Sequence, residues 1–166
     1  TYKIIENDGY DIVKLETLLS TDSLAGRSKS LGIQIMGLTD IVTTENPDWL
    51  LVLGDREESI ATAIIGTYMN IPVAHICGGD RVVGNIDDSV RHAVTKLAHL
   101  HFPTTKENGE RILKMGEEPW RVHITGNPAL DSIRKQPDLS YNYINKELGT
   151  NLSSDKPFIL LIKHPL

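Results

Sequence analysis

The sequence predicts an α/β fold: a doubly wound, mainly parallel sheet with helices on both faces, Rossmann-like in kind. Three observations carry this. Short, continuously apolar runs (WLLVLG, IPVAHIC, LHF, VHIT) recur along the chain, as expected of parallel strands covered on both sides. Segments with helical apolar spacing separate them. Strands and helices alternate at intervals that suit right-handed crossovers rather than hairpins.

The opening TYKIIEN reads as a short helix, and YDIVKL alternates as a strand. Leu24, Leu31, Ile35, Leu38 and Val42 then recur at three-, four- and seven-residue steps, which places them on one helix face. Asn46-Pro47 ends that helix, because a residue before proline is driven out of the α region. WLLVLG follows as a strand. Residues 57–70 are expected to be helical, with Ile60, Ile64 and Tyr68 as one stripe, and residues 71–77 form the next strand.

The helix over 86–99 is expected to bury Ile86, Val90, Ala93 and Leu97. That phase leaves Asp87 and Arg91, and separately Asp88 and His92, four residues apart on its remaining surface. LHFP is a short strand closed by Pro103, 104–115 a helix, VHIT a strand, and 127–135 a helix behind a Gly-Asn-Pro turn. Residues 136–155 are polar, flanked by prolines, and hold one short helix candidate at 141–148 before the apolar FILLIK strand. The expected organisation is a Rossmann-like domain over 1–136, a connection over 137–156, and the opening strand of a second domain over 157–166.

Acidic residues number 22 against 17 basic, a formal charge of −5. That balance excludes a broad electrostatic footprint for nucleic acid or an anionic membrane. A single cysteine, Cys77, cannot build an internal disulfide framework, and no apolar run reaches the roughly 18 residues of a membrane span. These features point to the cytoplasm, where the Asn151-Leu152-Ser153 sequon meets no glycosylation machinery.

In an open parallel sheet, ligands bind outside the carboxyl ends of the strands. Asp55, Arg56, Asp80, Asp87 and Asp88 all fall in turns or helix starts that follow such ends. Four of the five have an ordinary alternative. Asp55 suits an N-cap of the helix over 57–70; Asp87 and Asp88 suit the positive end of a helix macrodipole. Arg56 could pair with Glu57 or Glu58, and Asp87 with Arg91 as a surface i,i+4 pair. His75-x-Cys77 and His99-x-His101 have a strand spacing that could aim two metal ligands one way. No third and fourth ligand of recognisable spacing accompanies them, which favours core or surface histidines. Gly78-Gly79 supplies a tight turn, and Gly126 stands before Pro128 and a helix start suited to phosphate.

Four segments taken together are far more specific: LVLGDREESIATAIIGTYMNIPVAHI, GGDRVVGNIDDSVRHAVTKLAHLHF, VHITGNPALDSI and FILLIKHP. They resemble the hydrolysing UDP-N-acetylglucosamine 2-epimerases, in the branch that opens sialic-acid and related nonulosonic-acid synthesis. The resemblance covers essentially the whole chain. It implies partial glycosyltransferase-B architecture: most of the N-terminal Rossmann-like domain, a connection, and the first strand of a truncated C-terminal one. A piece of that extent is expected to be inactive alone.

The resemblance also implies a reaction. UDP leaves UDP-N-acetylglucosamine by anti elimination, and the resulting 2-acetamidoglucal takes up water in syn fashion to give N-acetylmannosamine. The same chemistry on UDP-N,N'-diacetylbacillosamine, or a non-catalytic nucleotide-sugar binding module, are the alternatives. No metal and no redox cofactor is implied; the partner is a UDP-sugar, and the assembly a homodimer. Carried over residue by residue, the resemblance makes Asp55, Asp87, Asp80 and His164 the catalytic candidates, and Arg56, Asp88, Arg91, His92 and Gly126 the substrate contacts. It also favours a site role over a cap for Asp55. One departure stands out: many relatives carry Glu, as in HIEGGE, where this chain has Cys77. A thiol acts as an efficient base near neutral pH only if its pKa is depressed. Asp80 taking over, a redistribution of acid roles, and specialisation for another sugar are the three readings.

Overall fold

The computed structural model describes residues 2–21, 23–82 and 84–163. The chain divides into two compact units, residues 1–127 and 128–166. The first holds helices α1 (Tyr2–Asn7), α2 (Leu24–Glu45), α3 (Glu57–Met69), α4 (Ile86–Leu97) and α5 (Lys106–Lys114), with strands β1 (Leu50–Leu53), β2 (Val73–Ile76) and β3 (Leu100–Phe102). The second holds α6 (Ala129–Lys135) and α7 (Tyr141–Leu148). Among the described residues no helix is long and apolar enough to cross a membrane.

The three strands form one parallel sheet in the order β1-β2-β3. Val52 stands opposite His75, and His75 opposite His101, so the two histidines are neighbours across the central strand β2 and the adjoining β3. The core is built from Val42, Leu50, Val52, Ala63, Ile65, Val73, Val94 and Ala98. Helix α3 packs against both α2 and α4 as well as the sheet. Its buried residues are accordingly small or slim: Ser59, Ala61, Ala63, Ile65 and Gly66. Helix α2 starts at Ser23, whose side chain accepts from the Gly26 amide, and α5 at Thr105, which does the same for Asn108. A buried carboxylate, Glu117, anchors the foot of the sheet by accepting from Lys96, His101 and Arg121.

Several expectations need correction. YDIVKL and VHIT are not strands. VHIT runs beside β3 with one bridge, Val122 to His101, and two further amide bonds, His123 to the His101 carbonyl and Thr125 to that of Pro103. FILLIK makes no strand over its described residues, and Phe158 to Ile162 are exposed. Apolar alternation prepares a strand, but a strand exists only where a neighbour completes its ladder. Tyr68 is 85 % exposed, because α3 spends its contact surface on small residues wedged between sheet and helices. Leu24, the first residue of α2, is exposed as well. On β1, Leu51 and Leu53 are 65 % and 58 % exposed, so only one face of that strand is covered among the described residues.

The largest correction concerns α4. Ile86 and Ala93 are exposed; Val90 and Leu97 do pack, partly buried, against the core, but the buried positions of the helix are Arg91, Val94 and Thr95. Polar partners after β1 and on β2, Asp55 for Arg91 and His75 for Thr95, account for the burial of those two residues.

Candidate active site

The carboxyl ends of β1 and β2 carry the site. Gly54, at φ 74, turns the chain directly after β1 and presents Asp55. Ser59 Oγ donates to the Leu53 carbonyl at 2.7 Å, which fastens the start of α3 to the strand end. The N-cap position of α3 is Arg56, with no side-chain cap bond. The Asp55 carboxylate is turned elsewhere: Oδ2 accepts from Arg91 Nη2 on α4. Asp55 therefore does not serve as the helix cap, and Arg91 makes no ion pair with Asp87. Arg56 is exposed, its Nε 3.4 Å from Glu58 Oε2, as the surface-pair alternative had it.

Arg91 is 7 % exposed, and its Nε and Nη1 have no partner among the described residues. Burial pulls its pKa below the usual value, yet a guanidinium remains charged throughout the physiological range. One turn earlier on the same helix face stands Asp87, with Oδ2 accepting from Asn85 Nδ2 at 2.8 Å. Asp88 Oδ1 accepts from the Val82 amide at 2.9 Å, which pins the loop before α4 to the helix start, and lies 3.8 Å from His92 Nε2. Asp55, Arg91, Asp87, Asp88 and His92 are thus gathered at one rim of the sheet. Gly126, at φ 84, has open space around it in the same unit. His164 lies outside the described residues.

The Gly-Gly-Asp turn is gripped from the side by α5. Asp80 Oδ1 accepts from Thr104 Oγ1 at 3.2 Å and from Asn108 Nδ2, while Arg111 Nη1 donates to the Gly79 carbonyl. Cys77 sits at φ 61, a conformation that costs a side chain-bearing residue about 1–2 kcal/mol. Burial first, and the nearby Asp80 second, push its thiol pKa up. Cys77 therefore stays protonated near neutral pH and supplies no base.

Behind the rim stands His75, fully buried on β2. Nε2 lies 2.8 Å from the Gly54 carbonyl, which can only accept, so Nε2 carries the proton. Nδ1 is 3.2 Å from Thr95 Oγ1. This neutral ring joins the turn that bears Asp55 to the helix that bears Arg91. Burial lowers its pKa to about 4. The unfolded chain then binds a proton from about pH 6.5 downward while the folded one does not. Stability is accordingly complete above that value and falls as the pH drops toward 4, by up to about 3 kcal/mol. Thermal midpoints at pH 7, 5.5 and 4.5 test this, and a His75→Gln variant is expected to show a shallower decline over the same window.

The family described as UDP-N-acetylglucosamine 2-epimerase matches residues 1–166, the full extent of the sheet, turns and helices above. The chain belongs to that family. Among its relatives, the UDP-N,N'-diacetylbacillosamine 2-epimerase (hydrolyzing) of Legionella pneumophila is 39 % identical over 139 residues, covering 84 % of this chain and 36 % of that protein. The GDP/UDP-N,N'-diacetylbacillosamine 2-epimerase (hydrolyzing) of Campylobacter jejuni is 35 % identical over 169 residues, covering 100 % and 43 %. The crystal structure of UDP-GlcNAc 2-epimerase from Neisseria meningitidis bound to UDP-GlcNAc superposes with a TM-score of 0.62 at 25 % identity, over 78 % of this chain and 36 % of that one. This epimerase-family chain thus spans less than half the length of the relatives it matches, 36–43 %.

Residues that sequence reasoning passed over in this epimerase-family site are those that hold others in place. Thr95, Thr104, Asn108 and Arg111 touch the turns or the ring behind them. Spacing offered one usable signal: Thr95 stands four residues after Arg91, on the same helix face.

Proposed function

We propose that the protein is a hydrolysing 2-epimerase of a UDP-linked N-acetyl sugar. The observation that carries this reading is the Asp55–Arg91 pair, one helical turn from Asp87, at the strand ends of a chain that matches the 2-epimerase family throughout. A C2 proton is weakly acidic, so its removal needs a positioned carboxylate and help for the departing diphosphate. In the elimination, a carboxylate takes the C2 proton, the C1–C2 double bond forms, and the C1–O electron pair leaves with UDP. Water then delivers hydroxyl to C1 and a proton to C2, which yields the 2-epimer as a free sugar. Asp55 and Asp87 divide the acid and base work, because unlike surroundings separate the pKa values of crowded carboxylates. Arg91 orients Asp55; Asp88 and His92 shape the adjacent loop. Asp80, whose Oδ1 accepts from Thr104 and Asn108, and His164 complete the proposed catalytic set, with Arg56 and Gly126 on the substrate's nucleotide side. Residues 1–136 are proposed to supply the N-terminal domain, 137–156 the connection and 157–166 the start of the C-terminal one.

Incubating the full-length protein with UDP-N-acetylglucosamine in D₂O is the test. Release of UDP, with deuterium at C2 of the free sugar, supports elimination followed by hydration. Binding of the nucleotide sugar with neither UDP release nor exchange would favour a non-catalytic module.

A further inference from the structure

Both tryptophans of the chain, Trp49 and Trp120, line one cavity of about 570 Å³ at the end of the sheet opposite Asp55. Trp49, Pro72 and His99, all in its lining, immediately precede β1, β2 and β3, so the cavity runs along the amino ends of the parallel strands. Its volume suits a small molecule. Trp49 is 48 % exposed and Trp120 67 %. An indole is a large apolar surface that is mostly covered in folded proteins, so two left open on one cavity mark a place where a ligand gains contact area.

The polar groups of this cavity are already held in position. Trp120 Nε1 donates to Glu118 Oε2 at 2.7 Å, which fixes the indole and leaves the second carboxylate oxygen for another donor. His99 Nδ1 accepts from the Val73 amide at 3.2 Å, so Nε2 carries the proton and is a donor. Arg121 is tied to the carbonyls of His99 and Ala98, both at 2.6 Å, and to Glu117 Oε2 at 3.2 Å, so it brings mainly its charge. Those charges select the ligand. The Arg121 guanidinium opposes a cation between the indoles, and the Glu118 carboxylate opposes an anion such as a nucleotide phosphate. An uncharged molecule with an apolar face and hydroxyls along its edge meets both conditions. We propose that this cavity binds a neutral hexopyranose, its C–H face stacked on an indole, whose π face is the negative one. One ring hydroxyl donates to Glu118, and a neighbouring one accepts from His99 Nε2. The inference goes beyond the 2-epimerase reading and does not depend on it, because the cavity lies at the other rim of the sheet and binding alone is measured.

The test titrates the full-length protein with methyl β-glucopyranoside, which carries C–H groups on both ring faces, and follows tryptophan emission. Uracil, as a flat neutral heterocycle, and tetramethylammonium, as a cation, are titrated in parallel. A saturable change with the glycoside is expected. Trp120→Ala should raise its Kd roughly 10-fold, the scale of a lost aromatic contact, and Glu118→Gln should raise it several-fold while keeping an acceptor for Trp120 Nε1. Should Trp120→Ala fail to fold, Trp49→Ala takes its place with the same criteria. The absence of a saturable change, a Kd that Trp120→Ala leaves unaltered, or tighter Trp120-dependent binding of uracil or tetramethylammonium than of the glycoside would each overturn the proposal.

Discussion

Asp55→Asn in the full-length protein is expected to lower kcat for UDP release by about 10³-fold, within the range that loss of a general acid or base produces. KM should change little, because asparagine keeps the shape of the side chain and leaves a carbonyl oxygen for Arg91 Nη2, the present partner of Asp55 Oδ2. The substitution removes the charge, and with it the capacity to take or give a proton. A competing account makes Asp55 merely the counter-ion of Arg91, which is 7 % exposed. On that account the cost appears in stability, since breaking a buried pair strands the remaining charge at roughly 3–5 kcal/mol. The two accounts separate in one experiment: kcat and thermal midpoint measured on the same variant. A fall in midpoint with kcat preserved in the folded fraction removes Asp55 from the chemistry and leaves it a structural role. The solvent-exchange readout adds a second check, because a variant unable to move the C2 proton also loses deuterium uptake.

How much of this was legible in the sequence depends on the range of the interactions. The strand-end position of Asp55 and the presence of Asp87 and Asp88 in the first turn of α4 follow from local pattern, since a parallel sheet sends every strand end to one rim. The phase of α4 was legible only in part: Val90 and Leu97 pack against the core, while Ile86 and Ala93 are exposed. Its apolar spacing favoured Ile86, Val90, Ala93 and Leu97, yet Arg91 and Thr95 are buried because Asp55 and His75 meet them from 36 and 20 residues away. Periodicity counts side chains by polarity and cannot see that a polar one has found a partner. Asp80 illustrates the same limit: its carboxylate looked like a free acid after a strand, whereas Thr104 and Asn108 hold it from the far side of β3. His75 lies at the other extreme. The ring of His75 reads as a possible metal ligand from its spacing to Cys77, and only the fold reveals its bonds to the Gly54 carbonyl and Thr95. FILLIK shows pattern without consequence, because its apolar residues have no strand to pair with among those described.

Gly79→Ala is expected to destabilise the full-length protein by about 3–4 kcal/mol, a sum of two penalties that fall on the same atom. At φ 80 an alanine adopts a conformation that L side chains disfavour by about 1–2 kcal/mol. Its Cβ would also collide with the Asn108 carbonyl oxygen and sit 3.0 Å from Ile112 Cγ1, an overpacking that typically costs about 1–3 kcal/mol. Neither neighbour can retreat cheaply: the first is backbone of α5, and Ile112 is fully buried. The close approach exists because α5 holds the turn through Asp80 and the Gly79 carbonyl. Relief of the clash must therefore push the turn away from α5 and break those bonds. The thermal midpoint should drop by roughly 10 °C, at about 2–4 °C per kcal/mol for a domain of this size. Gly78→Ala provides the contrast. Gly78 is not among the positive-φ glycines, and its Cβ would approach the His75 ring at 2.9 Å and Thr95 Oγ1 at 3.2 Å, which are side chains rather than backbone. That variant should lose less stability but disturb the ring that ties the Asp55 turn to α4, so its larger effect is on kcat. A Gly79→Ala protein as stable as the wild type, or a Gly78→Ala protein that is the less stable of the two, would mean that α5 does not clamp this turn.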